Sequence, residues 1–246
     1  MTIALAARVR TLIRLASLQA SWTYERMQGV GLGVASEPLL EPLADADDAR
    51  AARSRSVQYF NAHPYLGGIA AGALARAELD HEPGERIVRL RTALSGPLGA
   101  LGDQLVWAGV VPATMAGLLV ALVFGGGVFA IVAVVIAYNV GRLLMTAWGL
   151  QVGLAHGLHV AHAVGASWLP RATVWAGATA AVLVGAAAPI VGAWFLRDTG
   201  HGDRTLALGL AAALVFGLAG LRRRVPAIGF TLAAAGFVVL WRWSAA

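Results

Sequence analysis

The sequence predicts an all-α integral membrane protein, and three observations carry that reading. Hydrophobic residues fill 58% of the 246 positions and charged residues only 13%, with a mean hydropathy of +0.69. Soluble domains carry about 25% charge, so a water-facing surface cannot be covered at half that density. The apolar residues are also grouped into runs close to the roughly 20 residues that a spanning helix needs.

Charge and missing residue types exclude several chemistries. The formal net charge is +6, and all nineteen bases are Arg. Without Lys there is no Schiff-base or P-loop lysine. Without Cys there are no disulfides, thiolate metal sites or Cys nucleophiles. The basic excess is read as Arg at membrane borders rather than a nucleic-acid surface. No nucleic-acid partner is expected.

Residues 1–103 hold eleven of the thirteen acids and eleven of the Arg; residues 104–246 hold only Asp198 and Asp203 with eight Arg. A polar, amphipathic helical region at 1–103 is therefore expected before a transmembrane region at 104–246. The start is not expected to act as a signal peptide, because Arg8, Arg10 and Arg14 follow its short apolar stretch. The N-terminus is expected in the cytoplasm.

Within the first region, Leu12, Ile13, Leu15, Ala16 and Trp22 give one apolar face with Arg8, Arg10 and Arg14 beside it. That pattern suits a helix lying on the membrane surface. Asp45 marks a helix start, with acids early and Arg50, Arg53 and Arg55 later, as the helix dipole favours. Leu66–Leu79 reads as a Gly- and Ala-rich helix that could be embedded, and Glu85–Leu94 as a surface or interfacial helix.

Three stretches carry polar chemistry, each with two readings. Ser21–Gln28, placed on a helix, sets Ser21 one turn from Glu25, Trp22 from Arg26 and Tyr24 from Gln28. It is either an interfacial helix end or a polar, aromatic face for a hydroxyl-rich ligand. Tyr59–Pro64 is a helix stop before Pro64, or a backbone break presenting Asn61 and His63 in a transport site. Ser95–Asp103 is a Gly-Pro loop with Gly96, Pro97, Gly99 and Gly102. Asp103 either caps the next helix or lines a re-entrant polar cavity. The glycines do not form a dinucleotide fingerprint.

Five apolar spans are expected in the second region: Leu105–Phe124, Val128 to about Leu150, Ala172–Leu196, Leu206–Leu221 and Val225–Leu240. Some could be re-entrant, and the last two are short. Gly125–Gly127 separates the first two. Gln151–Trp168 is an amphipathic stretch whose His156, His159 and His162 recur every third residue. The third His lies well round from the first and no acid is near, so an interfacial helix is preferred to a metal site. Asn139 and Arg142 share a helix face, Arg142 either snorkelling or pairing. With the N-terminus inside, Arg142, Arg171 and Arg222–Arg224 fall on the inner side. Trp241-Arg242-Trp243 reads as an interface anchor.

Together these stretches resemble the IID component of the mannose/fructose/sorbose class of sugar phosphotransferase-system (PTS) permeases. Three blocks carry the resemblance in order: Ser21–Gln28, Phe60–Pro64, and Gly96–Asp103 followed by Trp107 and Pro112. A weaker fourth block is Tyr138–Arg142. The resemblance implies a bacterial inner-membrane permease subunit with no catalytic residue, cofactor or metal of its own. It implies a translocation path shared with a IIC subunit and cytoplasmic IIA/IIB partners that phosphorylate a hexose-like sugar. It also implies a higher oligomer of C–D pairs. By the same resemblance, Glu25, Gln28, Asn61, His63 and Asp103 bind or gate the sugar. Trp22, Tyr24, Arg26, Gly96, Pro97, Gly99, Gly102 and Asn139 support them. Thr23, Gln104 and Gln151 depart from the family pattern, which keeps open a transport-inactive regulatory or scaffold protein derived from such a permease.

Overall fold

A chain this poor in charge satisfies its backbone within helices. The computed structural model, which describes residues 3–196 and Leu208, is built of them. In order they are α1 (Leu5–Leu15), α2 (Gly29–Leu40), α3 (Ala46–Ser56), α4 (Gly67–Leu79), α5 (Gly84–Leu105), α6 (Val111–Val123), α7 (Gly127–His156), α8 (Val160–Ala166) and α9 (Leu169–Leu196). Short 3₁₀ turns occupy Pro64–Leu66 and Gly157–His159, and a π-helical turn fills Val106–Val110. The chain folds as two compact units. One comprises Met1–Trp107 with Val135–Val174, and the other Ala108–Val134 with residues from Trp175 onward.

The first unit is organised round α4, in which every residue except Arg76 is buried. Helices α1, α2 and α5 all pack against it. The C-terminal part of α7 approaches it more closely than side chains would allow. A Cβ on Gly72 would sit 2.7 Å from the Leu154 backbone nitrogen, and one on Gly153 would sit 2.7 Å from that of Ala73. Two small-residue pairs four apart, Gly68/Gly72 and Gly149/Gly153, thus meet face to face. Close backbone approach of this kind drives association where lipid removes the hydrophobic force.

Polar interactions secure the outer helices. Asp45 caps α3, its carboxylate accepting from the backbone N–H groups of Asp47 and Asp48 at 2.9 Å each. Arg55 on α3 donates to both oxygens of Glu78 on α4, at 2.8 and 2.6 Å. Glu78 is buried, so this bidentate pair is needed to hold its charge there. Arg10 on α1 makes a similar but exposed fork with Glu41.

In the second unit, Gly125 and Gly127 adopt positive φ values of 84° and 49° and turn the chain between α6 and α7. Gly109 lies against Ala176 at the start of α9, where a Cβ would come within 2.6 Å of the alanine methyl. Ser167 accepts from the Leu169 N–H to open α9. Phe124, Val128, Phe129 and Trp175 are all more than 70% exposed. Apolar exposure at this density needs a non-aqueous solvent, and the molecule is an all-α membrane protein.

Several expectations are corrected. Ser21–Gln28 is not helical: α1 ends at Leu15, and the chain passes through turns with Thr23 bridged to Met27. Met27 has φ 50°, which a helix cannot contain. Trp22 therefore does not extend the α1 face, whose exposed stripe is Leu5, Val9 and Ile13. Ser95–Asp103 is not a loop but lies inside α5. Pro97 and Ala93, whose carbonyl Pro97 leaves without a helical donor, both face outward. Asp103 consequently caps nothing. The first predicted span is the C-terminal part of one helical run from Gly84 to Val123. The sequence reading places no element over Gly29–Leu40; the glycines of α2 are there because it is buried among α1, α3 and α4. The fourth and fifth predicted spans, Arg222–Arg224 and the Trp241–Trp243 anchor lie outside the described residues.

The α4–α7 contact yields a direct check. Gly72→Val or Gly153→Val is expected to cost about 1–3 kcal/mol by overpacking, measured as thermal unfolding in detergent. Gly141→Ala, with no atom within 4 Å of the added carbon, should leave the midpoint unchanged or raise it slightly, since Ala is the better helix former.

Candidate functional site

The second sequence motif lies in one non-helical segment, residues 57–63, between α3 and the 3₁₀ turn at Pro64, and the first and third motifs meet on it. The first motif joins it through the backbone. The Gln28 N–H donates to the Phe60 carbonyl at 2.8 Å, and the Phe60 N–H donates to the Arg26 carbonyl at 3.3 Å. The Gln28 side-chain amide donates to the Ala62 carbonyl at 2.8 Å in a buried setting. The third motif joins it from α5. Ser95 Oγ accepts from the Asn61 N–H at 3.0 Å and donates to the Asn61 carbonyl at 2.6 Å. Gly102 lies under the His63 ring, where a Cβ would collide with the imidazole. Gly99 faces the Ala62 Cα.

His63 and Gln28 form the buried part of this site, 1% and 3% exposed. His63 Nδ1 accepts from the Tyr65 N–H at 3.3 Å, which leaves the proton on Nε2. Tyr65 and Trp107 pack against the ring at centroid distances of 4.8 and 5.9 Å. Burial pushes the imidazole below its usual range, and the Asp103 carboxylate draws it part of the way back. The ring is therefore neutral near pH 7. The His63 Nε2–H and the Gln28 Oε1 are both buried without a partner among the described residues. One is a donor and the other an acceptor, and unpaired buried groups of this kind are costly unless a ligand or water meets them.

The remaining predicted residues are arranged differently. Glu25, Tyr24, Arg26, Asn61 and Asp103 are exposed, and Trp22 is 43% exposed. Trp22 and Tyr24 pack edge to face at 5.0 Å. Glu25 and Arg26 line an open depression of about 370 Å³ with Ser54, Val57, Gln58 and Tyr59, within the range of small-ligand sites. Gly96 points into open space and Pro97 outward, so of the α5 glycines only Gly99 and Gly102 shape the site. Asn139 is not brought to the cluster. Its amide donates to the Val135 carbonyl one turn back on α7, at 2.9 Å.

Sequence reasoning missed the residue that holds the segment in place. Arg91 on α5 is 4% exposed. It donates to the carbonyls of Ser56, Gln58 and Tyr59 at 2.5, 2.8 and 3.2 Å, and its guanidinium lies 5.6 Å from the Phe60 ring centre. A signal was available: Arg91 falls on the same helical face as Ile87, Leu94 and Leu98, where a charge has no place unless it is bonded. Ser95, Tyr65 and Tyr138 were likewise unremarked as individual contributors; Tyr65 and Tyr138 share a hydroxyl hydrogen bond of 3.0 Å.

Fold and site together define a helical membrane protein with a polar cluster built on a non-helical segment, the kind of break that transport sites use. Comparison with known proteins makes this specific. A family model described as the PTS mannose/fructose/sorbose family IID component matches residues 3–193, and the chain belongs to that family. It is 30% identical over 161 residues to the sorbose-specific EIID component of Klebsiella pneumoniae, covering 63% of this chain and 58% of that one. It is 26% identical over 175 residues to the mannose-specific EIID component of Escherichia coli K12, covering 68% and 62%. The chain thus spans about three-fifths of the length of these curated relatives. Among solved structures, a chain described as a membrane protein aligns with TM-score 0.68, 21% identity and 98% and 96% coverage. A cryo-EM structure of the mannose transporter ManYZ with microcin E492 aligns with TM-score 0.57, 21% identity and 97% and 95% coverage. Both likenesses concern the fold.

Replacing Arg91 tests the anchoring of the segment. Arg91→Gln is expected to cost about 2–3 kcal/mol, because carbonyls bonded to a buried charge lose it. Arg91→Lys should recover only part, since an ammonium cannot span three carbonyls as a guanidinium fork does. Thermal melts in detergent report both, with the exposed Arg89→Gln as the silent control.

Proposed function

We propose that this chain is the IID subunit of a sugar-transporting permease of the mannose/fructose/sorbose class. It forms the translocation path with a IIC subunit, and IIA/IIB partners phosphorylate the arriving sugar on the cytoplasmic side. One observation carries the proposal. Three motifs converge on residues 57–63 and leave an unpaired donor, His63 Nε2–H, and an unpaired acceptor, Gln28 Oε1, in the same buried cluster. A hydroxyl both donates and accepts, so a polyol satisfies the two kinds of group. The names of the relatives, sorbose-specific and mannose-specific EIID components, support a sugar of that kind. Glu25 and Asn61, both exposed, offer further hydroxyl contacts, and the Asp103 carboxylate partly offsets the effect of burial at His63. Trp22 and Tyr24 supply aromatic surface for a sugar ring.

The subunit resides in the bacterial inner membrane, crossing it several times with its N-terminus in the cytoplasm. The Arg-rich α3 region then faces the cytoplasm, and the Gly125–Gly127 turn, which carries no charge, faces outward.

Uptake in a host lacking its own mannose-class permease tests the function, with the chain co-expressed alongside its A, B and C partners. Glu25→Ala and Asn61→Ala are expected to lower sugar uptake at least about tenfold, the value of one or two lost hydrogen bonds. The complex should still purify intact. Unchanged uptake in both variants removes these residues from the path. An intact wild-type complex that moves none of the family's sugars points instead to a regulatory protein.

Orientation has its own check, made simple by the absence of Cys. In intact cells an impermeant maleimide should label Phe124→Cys and spare Ser54→Cys. The reverse pattern inverts the topology.

A further inference from the structure

Arg142 on α7 is a cation set in an apolar helix with no anionic partner among the described residues. It makes no ion pair and its side chain makes no hydrogen bond among the described residues. Its guanidinium lies 5.5 Å from the Tyr65 ring centre, and the Tyr65 hydroxyl is already bonded to Tyr138. Five N–H donors are therefore free. Three other arginines of the same unit are engaged, Arg10 with Glu41, Arg55 with Glu78 and Arg91 with three carbonyls, whereas Arg8 leaves its Nε buried without a partner among the described residues. The end of α1 is nearby, but no hydrogen bond joins it to the Arg142 side chain among the described residues; its Ile13, Arg14 and Leu15 carbonyls accept from the N–H groups of Ala16, Ser17 and Leu18.

The guanidinium borders a notch of about 50 Å³, lined also by Gln19, Tyr65, Thr146, Leu12 and Leu143. One water needs about 10–15 Å³ by that measure, so a tetrahedral oxyanion has room. Leu143 is 56% exposed and Leu144 beside it 65%, so the notch opens onto an apolar surface rather than into the core. Trp148 packs on the exposed Trp168 at 5.1 Å, an aromatic pair of the type found at the membrane border. Arg142 lies six residues before Trp148, roughly 9 Å along the helix, which is within reach of that border for an arginine side chain.

We propose that Arg142 and the Gln19 amide bind the phosphodiester of an anionic glycerophospholipid, whose acyl chains run along Leu143 and Leu144. An unpaired intramembrane charge calls for a partner of opposite sign, and basic notches between helices hold anionic headgroups. This site shares Tyr65 with the His63–Gln28 cluster, but its ligand does not depend on the sugar reading.

Native mass spectrometry of the full chain in mild detergent tests the assignment, titrating dioleoyl-phosphatidylglycerol against dioleoyl-phosphatidylcholine. Wild type is expected to retain one phosphatidylglycerol at least tenfold more strongly than phosphatidylcholine. Arg142→Gln should lose that preference, Arg142→Lys should keep part of it, and Arg89→Gln should match wild type. Equal retention of the two lipids, or an unchanged preference in Arg142→Gln, overturns the proposal. So does displacement of the lipid by millimolar inorganic phosphate, which would assign the notch to a soluble anion. Loss of the lipid on assembly with the C subunit would assign Arg142 to a subunit carboxylate and overturn it as well.

Discussion

A non-helical peptide segment inside a helical membrane protein exposes backbone groups that its own stretch of chain cannot satisfy. Residues 57–63 are such a segment, and much of the first unit is arranged to meet their demand. Arg91 collects carbonyls at the end of α3, Ser95 takes both backbone groups of Asn61, Gln28 reaches Ala62, and the backbone at 26–28 pairs with Phe60. The partners come from two places far apart in the chain, helix α5 and the turn ahead of α2. The segment cannot move without breaking several of these bonds together, which makes the site a rigid one.

That rigidity explains why glycine occurs where it does. The segment needs α5 close beside it, and Gly99 and Gly102 give it that space under Ala62 and His63. Behind it, α4 has to be enclosed on every side without bulky side chains, so Gly72 meets Leu150 and Leu154 on α7. In lipid, where apolar burial between helices earns little, backbone-to-backbone approach supplies the packing energy instead. The outer faces need only be apolar, as Phe129 and Val128 are.

Much of this was legible in the residues themselves. The α3 start at Asp45, the α4 boundaries, the Gly125–Gly127 turn and the third apolar span near Ala172–Leu196 all follow from local rules of capping, glycine punctuation and hydrophobic run length. The order of the three motifs also pointed to the family. Where local rules misled, a long-range contact had overridden them. Ser95–Asp103 has the composition of a loop, yet its glycines and serine serve a neighbouring segment while the helix continues through Pro97. Ser21–Gln28 has helical spacing, yet Phe60 pairs with its backbone and holds it as a turn.

Sequence alone determined that this is an all-α membrane protein, because charge density and apolar run length are sums over the chain and need no partner. It also marked Gln28, Asn61 and His63 as unusual, because polar groups beside apolar runs stand out by type. Tertiary structure alone decided which of them meet. It buried Gln28 and His63, left Glu25 and Asp103 exposed, and set Asn139 apart. It also turned Arg91 from a surface charge into the anchor of the site. The reason is that hydrogen-bond satisfaction in a low-dielectric interior is settled between elements more than thirty residues apart, and no local pattern encodes which distant donor reaches a given carbonyl.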